Sequence, residues 1–207
     1  MIQEPATKRA IIFVDGQNLF YAVKEAFGYT FPNYDVQALA EWVCGDQGWL
    51  LEEVRFYTGI PSVQDNLKWN TFWGRKLSAM GKAGVHVFTR QLRYRNQTII
   101  LPDGTQRSVL VGQEKGVDVR LALDVVRVAR EGKCDVLVVF SQDQDLSEAA
   151  DEIRVIARQQ SRWLRIASAF PVSPTCSNTR GINKTDWIRI PRNVYDRCID
   201  TRDYNRP

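Results

Sequence analysis

Two uninterrupted apolar runs, Ala10-Ile11-Ile12-Phe13-Val14 and Val136-Leu137-Val138-Val139-Phe140, constrain this chain more than anything else in it. Neither alternates polar with apolar residues, so each must be buried on both faces, as in a parallel sheet covered by helices. Asp15 closes the first run, and Asp143 and Asp145 stand just beyond the second. Open α/β sheets take ligands in the crevice outside the carboxyl ends of their strands, so these acids stand where such a fold gathers function. A further acid, Asp118, opens the apolar helix that precedes the second run. Carboxylates crowded together repel one another and call for a cation, and all-oxygen ligation suits Mg²⁺ or Mn²⁺.

The remaining pattern repeats the alternation of strand and helix. Gln17–Phe27 has helical spacing, Asp35–Gly45 reads as a helix capped by Asp35, and Glu53–Thr58 reads as a strand. Ser62–Gly81 suggests a long amphipathic helix loosened near Gly74, and Gly84–Thr89 a strand. Leu92–Leu101 and Arg107–Val111 flank Pro102-Asp103-Gly104, which predicts a β-hairpin inserted near 92–112. Val117–Arg130 and Leu146–Arg158 read as helices, and Trp163–Ala167 as a strand. The expectation is an α/β fold with a Rossmann-like parallel sheet between helices, spanning 1–168, with a basic C-terminal extension over 169–207 packed on it. In that extension Trp187–Ile190 suits a short strand and Tyr195–Cys198 a helical turn.

Several functional classes fall away on composition. The one histidine, His86, sits in a strand-like stretch, which argues against a Ser or Cys hydrolase triad and against zinc. Cys44, Cys134, Cys176 and Cys198 are widely spaced without a CxxC pair, so structural thiols are expected. No stretch reaches the roughly 18 apolar residues of a membrane span, and the first nine residues lack a signal-peptide core; a soluble, cytoplasmic protein is expected. The net charge of +4 is unevenly spread: residues 154–207 carry 11 basic and 4 acidic residues, the remainder 17 and 20. A basic arm on an acidic body suits a polyanionic partner, although a solvated surface explains the same count.

Three motifs, Phe13-Val14-Asp15-Gly16-Gln17-Asn18, Lys115-Gly116-Val117-Asp118-Val119 and Phe140-Ser141-Gln142-Asp143-Gln144-Asp145-Leu146, together resemble the NYN domains, a branch of the PIN-like ribonucleases. The resemblance covers roughly residues 10–168. It implies a PIN-like fold and metal-dependent cleavage of RNA, with Asp15, Asp118, Asp143 and Asp145 as the acids and Asn18 as a polar companion of Asp15. Where the family's third motif usually carries a glycine before the first acid of the pair, this chain has Gln142.

Each residue also has a plainer explanation. Asp118 suits the first turn of a helix through the dipole alone, and Asp145, more cap-like than Asp143, suits a helix start. Asn18 could be a turn residue or could orient an aspartate. Lys115 beside a helix N-terminus could meet a phosphate or only solvent. Asp124, about 240° around the helix from Asp118, should pair with Arg120 and Arg127 instead. Arg180, Lys184, Arg189, Arg192 and Arg197 are the cations that would meet RNA phosphates. Trp69 and Trp73 suit a core or an interface better than base stacking, and if exposed they make a homodimer plausible. A non-catalytic RNA-binding or regulatory module on the same fold is the alternative function. A phosphotransfer domain is a third class, weakened because no second acid stands two residues after Asp15.

Overall fold

In the computed structural model, which describes residues 2–205, the two apolar runs are neighbours at the middle of one sheet. Strand β1 (Arg9–Asp15) pairs in parallel with β6 (Val136–Phe140), with Ala10 opposite Val136 and Val14 opposite Phe140. β2 (Leu50–Ile60) flanks β1 on its other side, and β3 (His86–Gln91) lies outside β2. β7 (Arg165–Pro171) and β8 (Asp186–Ile190) continue beyond β6, giving the order β3-β2-β1-β6-β7-β8 with every pairing parallel. The sheet therefore grows outward in both directions from the β1/β6 pair, and that pair is its switch point.

The pleat sends alternate side chains of the central strands into two cores. Ala10, Ile12, Val14, Val136, Val138 and Phe140 meet α1 (Gly16–Phe27), α2 (Val36–Gln47) and α3 (Leu67–Lys82) on one face. Ile11, Phe13, Leu137 and Val139 meet α4 (Val117–Glu131) and α5 (Ser147–Gln159) on the other. The PIN-like, Rossmann-like sandwich expected from the sequence is the fold observed.

The boundaries follow local chemistry. Asp35 caps α2 by accepting from the backbone of Gln37 at 2.9 Å and Ala38 at 3.2 Å. The helix continues past Gly45 to end at Gly48, whose φ of 68° is the left-handed turn that glycine tolerates. α3 starts only at Leu67, because Asn66 folds back to accept from Trp69 N at 3.1 Å, and it passes through Gly74 unbroken. Asp124 is buried and pairs with Arg120 at 3.0 Å and Arg127 at 2.7 Å, with the Tyr57 hydroxyl donating at 3.0 Å.

The predicted hairpin is present as β4 (Arg93–Ile100) and β5 (Gln106–Gln113), a two-stranded antiparallel sheet separate from the main one. His86 is exposed on β3. The C-terminal segment joins the sheet as well as packing beside it: β8 completes the main sheet, and α6 (Arg192–Tyr195) with a 3-10 turn at Asp196–Cys198 packs against α1 and α2. The buried Lys76 of α3 fastens this segment, donating to Tyr34 O and to Asp200 Oδ2, both at 2.9 Å. Trp73 is buried and Trp69 is half-buried in the same core. The exposed aromatic pair that would have favoured a homodimer is therefore absent, because apolar burial against Phe56 and Phe72 uses those rings.

Candidate functional site

Asp15 is both the last residue of β1 and the N-cap of α1, because a strand that runs straight into a helix leaves that residue's side chain beside the free amides of the first turn. Its Oδ1 accepts from Asn18 N at 3.0 Å, and its Oδ2 accepts from the Ser141 hydroxyl at 3.2 Å. Ser141 follows β6 directly, and its oxygen in turn accepts from Asp143 N at 3.1 Å. Asn18 Oδ1 accepts from Gln142 N at 2.9 Å. The ends of β1 and β6 are thus laced together across the switch point.

Asp15, Asn18, Glu114, Asp118 and Asp143 line one cavity of about 280 Å³, with Gln17 and Tyr21 on its wall. Of the four predicted acids, three converge there. Asp145 does not line it: the side chain is exposed, and its N–H donates to Asp143 Oδ1 at 3.0 Å. The capping role expected of Asp145 falls to Asp143, which starts the 3-10 turn Gln144–Leu146.

The structure supplies a fourth carboxylate that sequence reasoning missed. Glu114 follows β5, and its carboxylate accepts from Gly59 N at the end of β2. A Cβ on Gly59 would stand 2.8 Å from Glu114 Oε2, so glycine there leaves room for the acid. No periodicity marks Glu114; its nearness in sequence to Lys115-Gly116-Val117-Asp118 was the only available signal.

Burial pushes the Asp15 carboxyl up to about 6, against the donors Asn18 and Ser141, and repulsion from Asp143 and Asp118 adds to it. Burial likewise pushes Glu114 up to about 7, opposed by the Gly59 amide and assisted by Asp15 and Asp118. A cation beside these groups would pull both values down, and the donor set is all oxygen, so it fits a hard divalent ion in kind. Among the described residues, however, no three His, Cys, Asp or Glu side chains stand close enough together to hold an ion.

The NYN domain sequence pattern matches residues 9–160. The chain belongs to the NYN domain family. Its fold is similar to the crystal structure of a protein of unknown function from Vibrio parahaemolyticus, with a TM-score of 0.53 and 19% identity over 93% of this chain and 98% of that one. A second structure, Acinetobacter baumannii MurG, aligns at a TM-score of 0.33 and 8% identity, over 88% of this chain and 45% of that one, too weakly to bear on the fold. No curated protein matches.

In this NYN domain Gln142 replaces the usual glycine without backbone strain, since its φ is not positive. Its side chain donates to Arg180 O at 2.9 Å and Asn178 O at 3.3 Å, and Gln144 donates to Gly181 O at 3.0 Å. The acid-bearing loop is therefore stitched to the segment between β7 and β8. Arg180 is exposed beside that loop, with its guanidinium on Asn183 at 3.2 Å. The other predicted phosphate contacts lie apart from it. Lys184 pairs with Asp151 on α5, Arg189 stacks on Trp187, and Arg192 stacks on Phe27 and Tyr29 while pairing with Asp196. Lys115 is exposed at the start of α4.

Proposed function

We propose that this NYN domain is a metal-dependent ribonuclease that hydrolyses RNA phosphodiester bonds with Mg²⁺ or Mn²⁺. The observation that carries the reading is the cavity at the β1/β6 switch point with Asp15, Glu114, Asp118 and Asp143 on its walls. Asp15 and Asp143 would be the principal ligands, with Asp118 and Glu114 completing the acid set and Asp145, outside the cavity, holding Asp143 through its N–H. A divalent ion held by these residues would supply an activated water and relieve charge on the phosphate oxygens, which would remove the need for a histidine.

The protein's own contribution is positioning. Asn18 N–H and the Ser141 hydroxyl hold Asp15, and the Asp145 N–H holds Asp143, so neither carboxylate reorients at the moment of reaction. Asn18, Lys115 and Arg180 are the polar and cationic groups beside the acids that would meet the substrate. No helix among the described residues is long and apolar enough to cross a membrane, and a cytoplasmic RNA substrate belongs to the same proposal.

A second reading, an RNA-binding or regulatory module that does not cleave, is favoured by the carboxylates standing apart. Cleavage of labelled single-stranded RNA in Mg²⁺ or Mn²⁺, compared with EDTA, separates the two. Asp15→Asn should lower cleavage on the order of a hundredfold or more, as removal of one preorganised charge-stabilising group does. RNA binding by the wild type without metal-dependent cleavage would select the second reading.

A further inference from the structure

We infer that the apolar groove beside the acid cavity is a base pocket, taking one unpaired nucleobase of single-stranded RNA next to the phosphate that is cut. The inference rests on the proposed ribonuclease reading and deepens it. The groove encloses about 230 Å³ and shares Gln17 and Tyr21 with the acid cavity, so one strand can reach both. Its walls are aromatic: Phe20 and Tyr21 from α1, Trp69 and Trp73 from α3, and Tyr94 from the hairpin.

These rings differ in what holds them. Trp73 is buried as the floor, 6.0 Å centroid to centroid from Phe56, whereas Tyr21 is 57% exposed, which is a large apolar face to leave in water. Aromatic faces accept any base by stacking, and a paired base inside a duplex could not enter.

Charge favours the same occupant. Residues 90–107 carry four arginines, Arg90, Arg93, Arg95 and Arg107, against the single acid Asp103, in a body that is otherwise net acidic. Arg90 reaches the start of α4, where its Nη1 lies 2.8 Å from the place a Cβ on Gly116 would occupy, next to the acid cavity. In the hairpin register Arg93, Arg95 and Arg107 share the face opposite Tyr94, so they raise the potential around the hairpin and steer a polyanion to it without lining the groove, where Tyr94 meets the base.

The test is fluorescence anisotropy in EDTA with a labelled single-stranded oligoribonucleotide, the same strand with abasic nucleotides, and the strand annealed into a duplex. The intact single strand should bind best and quench tryptophan emission, with less quenching in Trp69→Phe. Tyr94→Ala and Tyr21→Ala should each weaken it about 5- to 100-fold and leave the abasic strand unaffected, the range that loss of one stacking ring produces. Tyr94→Phe should restore binding. Equal affinity for intact and abasic strands, or tighter binding of the duplex, overturns the pocket. So does a dimer of this chain that Tyr94→Ala dissolves. Base-dependent binding without cleavage in Mg²⁺ or Mn²⁺ would remove the ribonuclease reading and keep a single-strand pocket; cleavage indifferent to the abasic substitution would do the reverse.

Discussion

Asp15 closes a strand, caps a helix and faces a cavity, and the three duties conflict over charge. The cap and the Ser141 hydrogen bond favour the anion, but burial outweighs them and raises the carboxyl to about 6. Its folded value therefore lies above the unfolded one of about 3.9, so the stability this group contributes is full below that value and is lost as pH rises through about 6. At about 1.4 kcal/mol per unit the loss is roughly 3 kcal/mol by pH 8. Asp15→Asn keeps a capping oxygen and removes the charge, so in EDTA it should melt above the wild type at pH 8 and converge with it near pH 4. A variant that melts lower at pH 8 would contradict the burial penalty. Asp15 was legible because it ends an all-apolar run, and a parallel α/β fold gathers its ligands at the carboxyl ends of such strands. Glu114 was not, because its role depends on a contact with Gly59 more than fifty positions away in sequence, across the sheet.

Among the elements, the strands that never alternate could be read directly, since burial on both faces leaves no polar position to confuse the pattern. β8 was legible as a strand but not as the sixth member of the main sheet, because the Lys76–Asp200 pair and the packing of Tyr195 that fix its sequel are tertiary. Although burial alone would raise it, hydrogen bonds from Arg202, Tyr204 and Lys76 hold the Asp200 carboxyl well below the usual range. A depressed carboxyl contributes stability above its unfolded value, and that contribution fades as pH falls below about 4. Lys76→Met should cost about 1.5–3 kcal/mol in urea unfolding at pH 7, since it removes a charged donor from Asp200 and from the Tyr34 carbonyl while Arg202 and Tyr204 still hold Asp200. A loss below about 0.5 kcal/mol would contradict the fastening role. Gln142→Ala should cost only about 1 kcal/mol per lost hydrogen bond, yet expose the segment around Asn178–Gly181 to limited proteolysis, because its amide holds two carbonyls there.

At the scale of the whole molecule, charge count and charge geometry diverge. The C-terminal third is basic in sequence, but Lys184, Arg192 and Arg202 are spent on Asp151, Asp196 and Asp200, and a count cannot see pairing. Among the described residues Arg180 and Arg189 have no such ion pair, and the hairpin adds a second basic region that the count over residues 154–207 left out. RNA affinity should fall steeply with salt, and each arginine that truly meets a phosphate should lower the slope of log K against log salt by about 0.7 when changed to glutamine. Arg180→Gln and Arg90→Gln are expected to do so in a titration of anisotropy against KCl, and Arg192→Gln is not. Gln17 and Tyr21 line both cavities, so on the proposed reading a single substitution at either position should register in base binding and in divalent-ion binding together.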